Sequence, residues 1–418
     1  MHNMPINRLS HKPRRPFNGV KRHPMAQTQQ PGDDMTDSIT PRSKLPNVGT
    51  TIFTVIGQLA AEHRAINLSQ GAPNFPCAPE LIEHTHQAMR DGHNQYSPMA
   101  GLYALREAVA GKVATLYGHH YDPEHEVTIT ASASEGLFAS ITALVHPGDE
   151  VIVFEPCFDS YAPMIELQGA KVVSFKLAPP TFAIPWDEVA ARITPRTRMI
   201  LLNSPHNPSG AVLGDEDIAA LKRLTAGTDI VLLSDEVYEH VVFDGALHHS
   251  MSRYPELAER AVVVASFGKT FHITGWRVGY CLAPAALMEE IRKVHQFAMF
   301  AADTPMQYGL ARIMQTPSHY LGLADFYQQK RDLLVDCLAG SRLTLLPSAG
   351  SFFMLASYEK ISDQSDSDFV QTLIREHQVA TIPVSAFYSD GTDHRLIRLS
   401  FAKDDATLRA GAESLCRL

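Results

Sequence analysis

Six short apolar runs rich in β-branched residues recur through the middle of the chain, each separated from the next by a stretch long enough for a helix, and this alternation restricts the fold more than any other feature. The runs are VTIT (127–130), VIVF (151–154), KVVSF (171–175), MILL (199–202), DIVLL (229–233) and AVVVA (261–265). Their length and composition fit buried strands. Strands alternating with helices imply an α/β architecture: a largely parallel sheet with right-handed crossovers and helices on both faces. Helices are expected at 79–89, at 101–117 with Leu102, Leu105, Val109 and Val113 on one face, at 132–145 and at 285–296. Another opens with Thr304 as N-cap and Pro305 behind it, and a long one runs from 320 to 337. Further on, RLTLL, SFFMLA, VATIP and LIRLSF read as separate short strands, with a helix over 368–376 between them.

Composition narrows the function classes. With 418 residues, 45% hydrophobic and 19% charged, the chain has material for a large core and for two or three domains. A formal net charge of −9, with no basic stripe interleaved with aromatics, argues against a nucleic-acid partner. No apolar run reaches the roughly 18 residues a membrane helix needs. The five cysteines are scattered and form no CxxC pair, which points to reduced thiols in a cytoplasmic protein and to no zinc site; Cys157 and Cys281 lie in apolar contexts and are read as core. The pairs His119/His120 and His248/His249 are read as surface residues. Residues 1–45 carry Pro5, Pro13, Pro16, Pro24 and Pro31 among basic residues without an apolar segment, so they read as a disordered extension, part of which an internal start at Met25 or Met35 would omit.

The chemistry centres on Lys269, placed where the chain leaves the end of the AVVVA strand, the edge at which α/β sheets bind ligands. Phe267, Phe271 and Trp276 surround it in sequence, and desolvation by such rings lowers an amine's pKa and makes it a nucleophile towards an aldehyde. Ser266 and Arg277 flank it at a spacing that lets both reach one phosphate. An amine of this kind beside a phosphate site points to pyridoxal phosphate, and the GxxxxGK[ST] spacing of a nucleotide loop is missing. Ser132, Ala133 and Ser134 open a helix and offer backbone amides to an anion, with an ordinary N-cap as the alternative for Ser134. Asn207 sits in Pro-flanked backbone suited to bonding a fixed oxygen, Asp235 ends a buried strand and needs a partner, and Arg398 in the last strand needs an anion, whether a substrate or an internal salt bridge.

SFGKTFHITGWRVGY (266–280) resembles the lysine segment of the class I aminotransferases, the fold-type I pyridoxal-phosphate enzymes, and HNPSG (206–210), SDEVYEH (234–240) and IRLSF (397–401) agree in type, order and spacing. Within that family INLSQGAPNF, QYSPMAGLYALREAV and LIRLSFAK are similar to the bacterial methionine aminotransferases and the kynurenine or glutamine transaminases. The resemblance implies a fold with a large domain at 78–315 and a smaller α+β domain built from 46–77 and 316–418. It implies that Lys269 carries the cofactor and moves the substrate proton, that Asp235 pairs with the pyridine nitrogen, and that Asn207 and Tyr238 donate to the phenolic oxygen. Phe158 would stack on the ring, while Ser132, Ala133, Ser134, Ser266 and Arg277 would hold the phosphate together with Tyr96 of a neighbouring subunit in a homodimer. Arg398 would take the substrate carboxylate, with Gly71, Phe53 and Phe387 around it. Many members have glycine near the turn where this chain has Ser132.

The reading is a ping-pong transfer of an amino group from methionine or an aromatic, kynurenine- or glutamine-type amino acid to a 2-oxo acid. The apolar character of Phe53, Phe387, Tyr388 and Phe300, with no second arginine placed opposite Arg398, disfavours aspartate. A carbon–sulfur β-lyase with the same residues is the alternative. A DNA-binding regulator with this fold would need a winged helix of its own, which the Pro-rich N-terminal stretch does not supply.

Overall fold

All six apolar runs form strands, and a seventh joins them. A computed structural model describes residues 42–418. The central sheet consists of β1 (Val127–Thr130), β2 (Glu150–Glu155), β3 (Lys171–Lys176), β4 (Thr197–Asn203), β5 (Val231–Asp235), β6 (Ala261–Ser266) and β7 (Gly279–Leu282). They lie in the order β1-β7-β6-β5-β4-β2-β3. Only β7 runs against the others, pairing antiparallel with both β1 and β6, so the C-terminal ends of the remaining strands share one edge with the start of β7. Successive residues of each strand serve opposite faces. Ile152, Ile200, Leu232 and Val263 enter one core, while Val151, Met199, Val231 and Val262 enter the other with Leu137, Ile141, Met288 and Ile291 of two covering helices. Burial on both faces is why the central runs MILL and AVVVA are apolar without interruption, whereas the edge strand Lys171–Lys176 is partly exposed and carries polar residues.

A smaller antiparallel sheet carries the C-terminal chemistry. Leu396–Ser400 lies between Phe353–Ser357 and Ile382–Pro383, with Arg398 in register with Leu355 and Ile382. The VATIP run is divided, because Val379–Ala380 pairs instead with Ile66–Asn67 and ties the N-terminal segment to this region. Lys44 to Leu418 form one compact unit. The disorder expected for residues 1–45 falls, up to residue 41, outside the described residues; residues 42–45 form no helix or strand.

Three local expectations are corrected. The helix over 320–337 is two helices, Ser318–Leu321 and Leu323–Leu338, interrupted at Gly322, the weakest kind of helix former available there. The cap expected from Thr304 is supplied by Asp303, whose carboxylate accepts the Met306 amide at 3.1 Å, because the Thr304 hydroxyl is used on the Gln95 carbonyl at 2.8 Å. His248 and His249 are buried, not surface residues. His248 Nε2 lies 2.9 Å from Glu236 Oε2, and His249 Nδ1 pairs with the Tyr254 hydroxyl.

Candidate active site

The shared strand edge supplies most of the site. Thr130 is in register with Gly279 and Gly279 with Ser266, while Asn203 is in register with Asp235. The residues at or just after these positions converge on a cavity of about 290 Å³ lined by Phe53, Gly71, Ser132, Ala133, Ser134, Phe158, Asn207, Asp235, Tyr238, Ser266, Lys269, Arg277 and Arg398. A larger cavity of about 590 Å³ shares Tyr161 and Asn203 with it. Its remaining wall mixes aromatic residues, Phe154, Phe182 and Trp186, with the acidic Asp215, Glu216 and Asp217, and its buried base His206 is engaged with Ser209. The reactive groups belong to the smaller space.

At one end lies an anion cradle. The helix Ala133–Leu144 begins at the cavity, so its first amides have no intrahelical acceptor and its dipole favours negative charge. Gly279 permits this approach, since a Cβ there would stand 2.6 Å from the Ala133 nitrogen. Ser132 caps the helix in a backbone conformation (φ 86°, ψ 162°) that glycine adopts far more readily, and its Oγ accepts the Glu135 amide at 3.4 Å. Ser266 ends β6 beside it, and Arg277 makes a bond to the Thr274 carbonyl at 3.1 Å but no ion pair among the described residues.

In the middle stands Asp235, whose Oδ2 accepts the Tyr161 hydroxyl at 2.6 Å and whose Oδ1 accepts the Val237 amide at 3.3 Å. Burial raises its pKa to about 6 despite these bonds. Tyr161 is a residue that sequence reasoning missed; its signal is the hydroxyl three positions after Phe158, against which its ring packs edge-on at 5.7 Å. Tyr238 is buried beside Phe352, and its hydroxyl has no partner among the described residues.

Lys269 lies on a four-residue helix, Phe267–Thr270, that continues directly from β6. Its Nζ donates to the Gly71 carbonyl at 2.9 Å, and burial, aided by Arg398 and Arg277, lowers its pKa to about 8. The rings facing the amine are Phe352 at 5.2 Å and Tyr238 at 5.7 Å. Here the expectation for Phe267 and Phe271 is corrected: they stack on one another at 6.3 Å in the core, because the short helix turns them inward. Gly71 reaches the amine because it packs on Phe353, where a Cβ would meet Cζ at 2.5 Å.

Arg398 is 1% exposed. Its Nη1 donates to Asn207 Oδ1 at 2.7 Å and its Nη2 to the Ser69 carbonyl at 2.8 Å, while Nε has no partner. The internal salt bridge weighed as its alternative is absent among the described residues. Phe353, Phe387 and Phe53 surround the guanidinium at 3.9, 5.0 and 5.3 Å. Phe387 is buried behind Phe53, 5.9 Å away, and supports the wall without lining the cavity. Phe353, which does line it, is another residue missed in the sequence. Tyr96 lies away from this cavity, 84% exposed and edge-on to Phe300 at 5.2 Å.

An amine of lowered pKa, an anion cradle, a buried carboxylate and a buried arginine without an anion form one connected space. The family described as aminotransferase class I and II matches residues 63–415. A methionine aminotransferase of Escherichia coli is 51% identical over 381 residues, covering 91% of this chain and 99% of its own length. A solved E. coli structure reported to identify a methionine aminotransferase function superposes with a TM-score of 0.90 at 51% identity, covering 91% of this chain and 100% of that one. The kynurenine–oxoglutarate transaminase of Dictyostelium discoideum is 33% identical over 427 residues, with 92% of this chain and 98% of its own covered. The chain therefore belongs to the class I and II aminotransferases, and the protein is a pyridoxal-phosphate-dependent aminotransferase.

Proposed function

We propose that the amino donor is methionine or another amino acid with a long apolar or aromatic side chain, and that the acceptor is a 2-oxo acid. The observation that carries this reading is Arg398: a buried guanidinium with a free Nε and no ion pair among the described residues, surrounded by phenylalanines. Leaving it unpaired is costly unless an anion arrives, and a carboxylate held beside aromatic rings brings an apolar side chain with it. The methionine relative named above supports the same choice of donor. The relatives compared are transaminases by name, and none supports the lyase alternative.

The residues fit the cofactor. Asp235, protonated more readily than an ordinary carboxyl because it is buried, is relieved by a cationic ring nitrogen, and the free Tyr238 hydroxyl has an oxygen to meet. Ser132, Ala133, Ser134, Ser266 and Arg277 would hold the phosphate, Phe158 the ring face, and Asn207 with Tyr238 the phenolic oxygen. When bound, pyridoxal phosphate supplies an electrophilic carbon for the amino group and a sink for the electron pair left at Cα. Lys269 Nζ, lowered to about 8, takes the proton from the substrate's Cα as general base. Arg398 orients that carbon by gripping the carboxylate, and Asn207 keeps Arg398 in place through Oδ1.

We further propose a cytoplasmic homodimer with a large domain at 78–315 and a small one from 46–77 and 316–418. The separation of the four-stranded sheet from the seven-stranded one supports the division, and the exposed aromatics Tyr96, Phe297 and Phe300 support a second copy that brings Tyr96 to its neighbour's phosphate. The scattered free cysteines support the compartment, and among the described residues no helix is long and apolar enough to cross a membrane. Initial rates with methionine, phenylalanine, kynurenine and aspartate against one 2-oxo acid test the donor. The expectation is a kcat/KM at least about tenfold higher for methionine than for aspartate, whose second carboxylate would have to be desolvated among apolar rings. Equal or better use of aspartate would refute it.

A further inference from the structure

Four successive backbone carbonyls, those of Ser69, Gln70, Gly71 and Ala72, each accept a hydrogen bond from a buried or partly buried cationic side chain. Ser69 O takes Arg398 Nη2 at 2.8 Å, Gln70 O takes Lys403 Nζ at 3.1 Å, Gly71 O takes Lys269 Nζ at 2.9 Å, and Ala72 O takes Lys403 Nζ at 2.6 Å. None of the three cations forms an ion pair with a carboxylate among the described residues. The strip of carbonyls is therefore their local counter-charge. Its shape is set from behind, where Asn67 Oδ1 gathers the Ser69 amide, the Ser69 hydroxyl and the Gln70 amide at 3.0, 2.8 and 3.2 Å. Its far end is latched by Asn74, which exchanges bonds with Asp404 at 2.7 Å in both directions.

Lys403 belongs to neither the cofactor cradle nor the substrate cavity, yet it is buried and spends its ammonium on two carbonyls that bracket the one holding Lys269. It also follows Arg398 by five residues, on the chain leaving the same strand. We propose that Lys403 is a positioning residue for transamination, fixing the Ser69–Ala72 strip in the register that serves the carboxylate-binding Arg398 and the proton-moving Lys269 together. This rests on the reading of those two residues given above.

The electrostatics agree in direction. The charged groups facing Lys269 are Arg398, Arg277 and Lys403, which lower its pKa, and Asp235, which raises it; Asp404 alone opposes the lowering of Lys403 by burial. Removing the Lys403 charge thus makes the site's amine easier to protonate.

The test uses full-length holoenzyme in three forms: wild type, Lys403→Met and Lys403→Arg. Lys403→Met is expected to speed amide hydrogen exchange across residues 69–75 about tenfold while leaving residues 231–235 unchanged, and to raise the KM for methionine about tenfold with a smaller fall in kcat. The pH midpoint of the resting enzyme's visible absorbance should move upward. Lys403→Arg, which keeps charge and donors, should recover the exchange rates and most of the KM. Unchanged exchange over 69–75, equal quickening in 231–235, or no recovery with arginine overturns the proposal. Should Lys403→Met yield no folded protein, Lys403→Gln, which keeps a donor without the charge, carries the same comparison. Exchange needs no substrate, so a wild-type enzyme inert to methionine would sink the proposed function while the role of Lys403 was still decided.

Discussion

Lys112 and Lys269 are two lysines brought close to one short segment, Asp235–His240, and their surroundings are opposite. Lys112 Nζ meets Glu239 Oε1 and the Tyr280 hydroxyl, each at 2.5 Å, and Glu239 takes the Tyr117 hydroxyl on its other oxygen at 2.7 Å. Burial alone would raise the Glu239 pKa, but Lys112, helped by the Tyr280 hydroxyl, outweighs it and holds the carboxylate ionised. Lys269, with Arg398 and Lys403, hydrogen-bonds only to carbonyl oxygens and forms no ion pair among the described residues. A paired buried charge spends its field on its partner and gives a fixed structure. An unpaired one keeps its field for an incoming anion, at a cost in stability that the fold must carry elsewhere. The SDEVYEH motif serves both purposes, because Asp235 and Tyr238 face the cavity whereas Glu239 enters the paired network and Glu236 is held by Ser234, His248 and the Met251 amide.

The contrast is broken or sharpened most strongly by Lys112→Met. Stranding Glu239 should cost about 3–5 kcal/mol in chemical denaturation, and adding Glu239→Gln should recover most of it. Next in size, Arg398→Met should lower kcat/KM for methionine about 100-fold or more, equivalent to about 3 kcal/mol, yet cost clearly less stability than Lys112→Met, because it leaves two neutral acceptors, Asn207 Oδ1 and the Ser69 carbonyl, without a donor but strands no charge. A stability loss matching that of Lys112→Met would erase the distinction between the two regions.

Asp235 gives a smaller effect with a definite sign. Its folded pKa of about 6 lies above its ordinary value of 3.8, so its contribution to stability is fully present below about pH 4 and is lost as pH rises through 6. In cofactor-free protein the loss should approach about 3 kcal/mol, and Asp235→Asn should flatten the profile of denaturation midpoint between those pH values. The smallest expectation concerns Ser132. Replacing it by glycine should raise stability by about 1 kcal/mol in the same assay, because φ 86° with ψ 162° strains any residue bearing a Cβ.

The parts legible in the sequence are those whose determinants are contiguous. Runs such as MILL and AVVVA announce strands because burial on both faces removes polar interruptions, and residues leaving their ends, Asn207, Asp235 and Lys269, announce the cavity because strand ends share an edge. The parts not legible depend on partners distant along the chain. Tyr161 meets Asp235 across 74 positions, and Lys403 meets Ala72 across 331. Burial of His248 likewise depends on Glu236, which a polar-looking local stretch does not disclose. Tyr96 marks the opposite limit: the role proposed for it requires a second copy, and within one chain it is exposed.

The most direct test of the central claim, that Lys269 and the unpaired Arg398 together act on an amino acid, is the visible spectrum of the holoenzyme as methionine is added without any 2-oxo acid, recorded for wild type and Arg398→Met. The account predicts that the resting band of the wild type is lost with release of one equivalent of 2-oxo acid, and that Arg398→Met needs about 100-fold more methionine for the same change. A wild-type band that methionine leaves intact, or equal titration of the two proteins, would contradict it.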